Sequence, residues 1–286
     1  MTEGVNEPKR AAFSLAKSLS GIGSAAVTFM GVTALAFLVV PIAALIVRSI
    51  ANRAWEGVPE SAIPDAIWIS FISTLCSVGL TVLFGTALAY LLARRRIPFS
   101  RLIGVLVELP IVLPPAVAGL ALLIAYGRRG LLGATFTDLG ITLPFTIYAV
   151  IMAQTFVSAP FYIRAAIAAF QSVDKEVEDA ARVDGADGLA LFWTITLPLS
   201  SRILAAGLVL SWARALGEFG ATILFAGSLQ GRTQTMPLLI YNVIERDIDA
   251  AIWTGLILIG IALFALLLSG WLARRANDGN GRAGLV

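Results

Sequence analysis

The sequence of 286 residues contains no histidine, one cysteine and three lysines, and each scarcity excludes a kind of chemistry. Without histidine there is no imidazole metal ligand, no histidine acid–base catalyst and no histidine proton relay. The single Cys76 excludes an intramolecular disulfide and, because it lies in an apolar run, is predicted to be a small core residue. A P-loop needs a lysine directly after a glycine. None of Lys9, Lys17 and Lys175 follows a glycine, so any nucleotide must be bound by another polypeptide.

Charged residues are also scarce, at 14% of the chain, whereas hydrophobic residues reach 58%. Soluble domains carry about 25% charged residues, so this composition predicts an all-α polytopic membrane protein. A helix needs about 20 apolar residues to cross the hydrocarbon layer, and six runs meet that length. The predicted spans are Val27 to Val47, Ala66 to Leu92, Leu102 to Tyr126, Ile141 to Ile163, Ile203 to Phe225 and Ala250 to Leu272.

Proline interrupts the third predicted span at Pro110, Pro114 and Pro115. Each proline removes a backbone donor, and a membrane tolerates the freed groups only where other helices cover them or a wet cavity receives them. The segment is therefore either a kinked packing helix or part of a gate. Glu108 lies near the same end of this span as Arg101, so it either reaches the interface or pairs with that arginine.

The distribution of basic residues predicts the orientation. With the N-terminus inside, fourteen of the 21 Lys and Arg fall in inner segments, six fall in outer segments, and Arg214 lies within a span. Both the N-terminal segment 1–26 and the tail 273–286 are therefore predicted to be cytoplasmic. The polar, basic start resembles a signal peptide, but the first apolar run is too long for one and is predicted to be an uncleaved helix. The six outer residues are Arg48, Arg53, Arg128, Arg129, Arg232 and Arg246.

A charged segment at about 165–202 separates the fourth and fifth predicted spans, on the predicted cytoplasmic side. Asp174 can cap a short helix, and Gly185 can end it in the left-handed conformation. A second short helix is expected to begin near Gly188 and to stop just before Pro198, because proline disfavours helical geometry in the preceding residue. The pattern is compatible with a solvated amphipathic loop or with a rigid element that contacts another protein.

The same segment carries a more specific pattern: E-x-A-A, a glycine four residues later, and a terminal Leu-Pro. It resembles the EAA loop of the permeases of ABC importers, in which this loop is the coupling helix that docks on the ATPase subunit. Asp184 departs from the pattern, since many such permeases carry an apolar residue there. The predicted coupling residues are Glu178, Asp179, Ala180, Ala181, Asp184, Gly185, Ala186, Phe192, Leu197 and Pro198.

Two further stretches narrow the resemblance, "ELPIVLPPAVAGLALLIAYGRRGLLG" and "ARALGEFGATILFAGSLQGRTQTMPLLIY". Together they look like the permease of molybdate importers, within the molybdate, tungstate and sulfate group, from about Ser70 to Trp271. The resemblance implies the six-helix architecture of a type I ABC importer permease, with a permease domain over 27–272, in the bacterial cytoplasmic (inner) membrane. It also implies a second permease copy, two ATPase subunits that bind ATP and Mg²⁺, and an extracytoplasmic oxyanion-binding protein that docks on the outer loops. No cofactor is expected in this chain.

The fifth predicted span contains two features of interest. Ala213, Gly217 and Ala221 recur every four residues and predict a small-residue face for close packing. Arg214 and Glu218 lie four apart, deep in the span, where ionisable groups face the protein interior or water. They form either a structural ion pair or contacts with other groups, since the order Arg before Glu is the less favourable one on an isolated helix. The predicted translocation path or gate comprises Glu108, Pro110, Pro114, Pro115, Arg214, Gly217 and Glu218.

These features predict a non-enzymatic permease that imports a tetrahedral oxyanion, molybdate or tungstate, with ATP hydrolysed by partner subunits. A sulfate or thiosulfate permease is the alternative within the same group. A secondary transporter would show an inverted repeat with paired broken helices, and no convincing repeat is present. A channel would need a filter or a charged ring, for which the sequence gives no clear evidence. A membrane enzyme would need clustered catalytic residues, and only Glu108, Arg214 and Glu218 are charged within the predicted spans. The composition gives no indication of a nucleic-acid partner.

Overall fold

The computed structural model describes the backbone of residues 7–57 and 62–283, with side chains over 26–57 and 62–267. The chain divides into two compact units, the first of which ends at Trp55. This first unit is mainly the helix α1, Glu7–Ala51, within which Ala26–Ala51 is long and apolar enough to cross a membrane. The first predicted span is therefore confirmed. A short 3-10 helix, Ala54–Gly57, follows α1.

The second unit, from Glu56 onward, is helical throughout its long segments. Its helices are α2 (Ala62–Ala93), α3 (Ser100–Val112), α4 (Pro115–Tyr126), α5 (Gly133–Asp138), α6 (Ile147–Gln171), α7 (Lys175–Val183), α8 (Gly188–Leu191), α9 (Leu197–Leu216), α10 (Gly220–Ala226), α11 (Met236–Ile244) and α12 (Ile248–Ala283). Among the described residues, five helical segments are apolar and long enough to span a membrane, or six if the α3–α4 pair counts as one. This agrees with the predicted architecture.

The centre of this unit is the packing of α2 and α9 against α6. Small and hydroxyl-bearing residues line these contacts, so the helix backbones can approach closely. Thr155 on α6 donates to Ser77 Oγ on α2 over 3.0 Å, and Ser211 on α9 donates to the Ser158 carbonyl over 2.9 Å. Such bonds satisfy hydroxyl groups that would otherwise lie unpaired in an apolar medium.

The third predicted span is divided by its prolines, as the sequence indicates. Helix α3 contains Pro110 and ends at Val112, and α4 begins at Pro115, where a missing donor costs nothing. The two helix axes differ in direction by 116°, so this segment does not cross in a straight line. Glu108 does not pair with Arg101: its carboxylate lies 3.3 Å from Nε of Arg164 on α6, and both side chains are half-exposed.

The fourth and fifth predicted spans were misplaced along the chain. The fourth begins at Ile147 rather than Ile141, because Pro144 lies in a turn just before the helix. The fifth is the continuous helical run Gly188–Leu216, which starts fifteen residues earlier than predicted and ends nine residues earlier. Helix α9 ends at Leu216 because Gly217 leaves the helical conformation, and α10 is a separate short helix. The predicted small-residue face of Ala213, Gly217 and Ala221 is therefore wrong.

The prediction for Cys76 is also wrong. This cysteine lies in the apolar run of α2, as its sequence context indicates, but its side chain is exposed on the surface of the helix. The buried face of α2 is instead formed by Ser73, Ser77 and Thr81. In an apolar environment the exposed face of a helix is the more hydrophobic one, so an apolar context does not predict burial within the protein.

Candidate functional site

Helix α7 forms as its local sequence predicts. Asp174 accepts a hydrogen bond of 3.0 Å from the backbone N–H of Glu176, which is a side-chain N-cap. The helix ends after Val183, and Gly185 adopts a φ of +94° in the left-handed region. A Cβ at Gly185 would meet no atom within 4 Å, so the backbone conformation alone favours glycine there.

Glu178 on α7 faces the interior of the unit rather than its surface. Only 3% of its side chain is exposed, and its Oε1 atom accepts hydrogen bonds from Arg94 Nη2 and, over 2.9 Å, from Thr196 Oγ1. Arg182 Nη2 lies 3.7 Å from the other carboxylate oxygen. Sequence reasoning found Glu178 but missed Arg94 and Thr196, because a carboxylate's distant partners leave no local pattern.

The opposite side of α7 is exposed. Asp179 and Ala180 are exposed, and Asp179 accepts from Arg182 one turn later. Val177 and Val183 are also exposed, at 44% and 88%. The remaining residues of the predicted coupling set in this turn are exposed or half-buried: Ala181, Asp184, Gly185 and Ala186.

The predicted stop at Pro198 does not occur, because the chain widens into a π turn at Phe192–Thr196 and continues as α9. Leu197 and Pro198 occupy the first positions of α9, where proline is tolerated, and the wider turn before them leaves room for the proline ring. Phe192, half-buried, packs edge-on against Tyr90 of α2 with ring centroids 5.2 Å apart, and lies 6.0 Å from the ring of Phe170 on α6.

A second group of candidate residues lies where α4 crosses α10. A Cβ at Gly119 would lie 2.8 Å from the carbonyl oxygen of Ala221 and 2.9 Å from its Cα. A Cβ at Gly220 would likewise overlap Pro115. The backbones of the two helices therefore meet directly, and the close small-residue contact is between α4 and α10 rather than along one helix.

Arg214 and Glu218 form the ion pair that was one of the two alternatives. Arg214 Nη1 lies 2.6 Å from Glu218 Oε2, although Glu218 stands beyond the end of α9. The other oxygen of Glu218 accepts a bond of 2.8 Å from the backbone N–H of Ala221 at the start of α10. Glu218 is 1% exposed and Arg214 29%, so the pair joins the end of α9 to the start of α10.

Several polar side chains near these helices are buried without a hydrogen-bond partner in the described part of the protein. Both amide atoms of Gln154 on α6, the hydroxyls of Ser158 and Thr222, and the hydroxyl of Thr81 are in this state. Buried polar groups are normally bonded, and exceptions point to water or to a rearrangement. Among the residues that the structure describes, no group of three or more His, Cys, Asp or Glu side chains could hold a metal ion.

Residues 81–278 match the family model described as the binding-protein-dependent transport system inner membrane component. The molybdenum transport system permease protein ModB of Mycobacterium tuberculosis is 39% identical over 236 residues, covering 82% of this chain and 89% of that protein. The sulfate transport system permease protein CysW of Synechococcus elongatus is 34% identical over 223 residues, covering 78% of each chain.

Solved structures share the fold. A bacterial alginate ABC transporter, crystallised with an alginate pentasaccharide-bound periplasmic protein, matches 96% of this chain and 98% of its own with a TM-score of 0.63. Its sequence identity is 22%. At this identity the match shows a shared fold.

Proposed function

The chain belongs to the family of binding-protein-dependent transport system inner membrane components, and on that premise we propose that it drives the import of a tetrahedral oxyanion with energy from ATP. It is a multi-pass permease subunit of an ABC importer in the inner membrane. The observation that carries the proposal is α7, a short capped helix with Glu178 buried on one side and its other side exposed.

Molybdate or tungstate is the proposed substrate. The identity to the molybdenum permease, 39%, exceeds the identity to the sulfate permease, 34%. Because one relative is named for molybdenum transport and the other for sulfate transport, sulfate or thiosulfate is the alternative substrate. A secondary transporter is disfavoured because the matching family works with a separate binding protein.

The energy is proposed to come from two ATPase subunits that bind ATP and Mg²⁺ and contact the outward side of α7. This assignment puts α7 and both termini in the cytoplasm, in agreement with the distribution of basic residues. A second copy of the chain would complete the path. An extracytoplasmic binding protein would dock on the outer loops, where Arg128 and Arg232 are exposed.

The proposed mechanism is alternating access. ATP closes the ATPase pair, the two α7 helices move together, and the cavity between the permeases opens outward to receive the ion. Hydrolysis reverses the motion. The ion pair of Arg214 and Glu218 lies at the junction of α9 and α10. The broken segments α3–α4 and α9–α10 are the proposed gate, because short helices that end inside the membrane can shift as separate pieces.

The test is ATP hydrolysis by the chain reconstituted in liposomes with its ATPase and binding protein, with molybdate, tungstate and sulfate supplied in turn. Stimulation by molybdate or tungstate alone would support the substrate. Stimulation by sulfate would keep the importer and change the ion. Failure of any ATPase to co-purify with the chain would refute the ATP-driven assignment.

A further inference from the structure

Three separate elements meet at the carboxylate of Glu178. Arg94 lies just past the end of α2, Glu178 lies on α7, and Thr196 is the last residue of the π turn that leads into α9. The arginine is 84 residues from Glu178 in sequence, and the threonine is 18. These three residues are named the Glu178 joint.

The joint is shielded from water. Exposure is 3% for the Glu178 side chain, 11% for Arg94 and 0% for Thr196. Hydrogen bonds to a charged group are stronger than neutral ones, and a low local dielectric strengthens them further. Since a buried carboxylate with too few partners is costly, α7 cannot move away from Arg94 and Thr196 without exposing Glu178 or leaving it with only Arg182 of its own helix.

The π turn is held at both of its ends. Thr196 is bonded to Glu178 at one end, and Phe192 packs on Tyr90 and Phe170 at the other. Tyr90 in turn lies 6.0 Å below the guanidinium of Arg94. Single π turns within α-helices occur frequently at functional sites, and this one lies near the start of the run Gly188–Leu216, which is long and apolar enough to span a membrane.

We propose that Arg94 and Thr196 are positioning residues through which Glu178 passes a displacement of α7 to the end of α2 and the start of α9. The inference rests on the proposed function, since it assumes that an ATPase moves α7. Glu178 then acts from inside the permease, and the contact with the ATPase falls to the exposed residues of α7.

The experiment uses the complete complex in liposomes and measures oxyanion transport per ATP hydrolysed, at matched amounts of assembled complex. The variants are Arg94→Gln and Thr196→Val. Their controls are Arg95→Gln, at the exposed neighbour of Arg94, and Thr196→Ser, which keeps the hydroxyl. The ratio is expected to fall about fivefold or more in both test variants, the size of an ordinary coupling effect, and to stay at the wild-type value in both controls.

ATPase co-purification separates this inference from the proposed function. If wild-type chain retains the ATPase and both test variants transport with the wild-type ratio, the Glu178 joint does not transmit motion. Loss of the ATPase from the variants would also overturn the inference, because the residues would then maintain the docking surface. If Arg94→Gln fails to fold and insert, Thr196→Val, which removes a single hydroxyl, decides the outcome.

Discussion

The Glu178 joint and the α4–α10 crossing hold helices together in opposite ways. At the joint, directional hydrogen bonds from Arg94 and Thr196 fix one carboxylate. At the crossing, Gly119 and Ala221 let two backbones touch, and the nearby hydroxyl of Thr222 is buried without a partner in the described structure. Directional bonds favour one arrangement, whereas smooth contacts between small residues permit sliding. On the proposed function, the first region would transmit motion and the second would move.

The largest effect is expected from filling the crossing. Gly119→Val would push a side chain into the backbone of Ala221, which cannot yield locally, and should lower the free energy of unfolding by about 3 kcal/mol. Thermal unfolding in detergent measures the change. Gly79→Val is the control, because a Cβ at Gly79 meets nothing within 4 Å. Equal losses of unfolding free energy in the two variants would show that the close approach of α4 and α10 does not contribute to stability.

The next largest effect is expected at the ion pair of Arg214 and Glu218, which joins α9 to α10. Glu218→Gln keeps the acceptor for Ala221 but leaves Arg214 without its ion pair, so stability should fall. The loss should be about 2 kcal/mol, less than for a fully buried pair because Arg214 is partly exposed. In thermal unfolding, the double variant Arg214→Gln/Glu218→Gln should recover part of the loss. Additive losses would contradict a direct pairing.

The third prediction concerns Gln154, whose buried amide has no hydrogen-bond partner in the described structure, and asks whether this amide lowers stability. Gln154→Met removes both unbonded amide atoms at similar volume and should raise the free energy of unfolding by about 1 kcal/mol. Thr155→Val, which removes the hydroxyl bonded to Ser77, should lower it and is the matched control. A destabilised Gln154→Met, measured by the same thermal unfolding, would mean that the amide has a partner such as bound water.

The smallest effect concerns the end of α7. Gly185→Ala places a Cβ on a residue with φ of +94°, which costs about 1 kcal/mol. The backbone N–H groups of Gly185 and Ala186 donate hydrogen bonds just beyond the helix. In amide hydrogen exchange, the hydrogens of these two groups should exchange faster in the variant than in the wild type. Gly188→Ala, at a residue without positive φ and with open space around it, should leave exchange unchanged. Unchanged exchange in Gly185→Ala would contradict a local strain.

The parts of the structure that were predictable from the sequence depend on neighbouring residues. The cap at Asp174, the turn at Gly185 and the break at Pro114–Pro115 each follow from the chemistry of one or two positions. The number of apolar segments was predictable because the length of a span is set by the membrane. The ends of these segments were harder to predict. Glycines flank Glu218 and Phe219 and indicate the break after α9, but the apolar run continues past this break.

The parts that could not be predicted depend on distant contacts. Arg94 is one of three consecutive arginines, and nothing in that run indicates which one binds Glu178. The π turn was missed because the rule for Pro198 assumes an ordinary α-helix before it, whereas a wider turn accommodates the ring. The roles of the coupling and gate residues stay predictions, since they concern motion between states.

The exposure of Cys76 has a practical consequence. As the only cysteine in the sequence, it offers one thiol, on the outer side of α2, as a site for a spin label or fluorophore without any mutation. In a complex with two copies of the chain, the two labels would form a natural pair. The distance between them, followed through the ATP cycle, would report the separation of the two permeases directly.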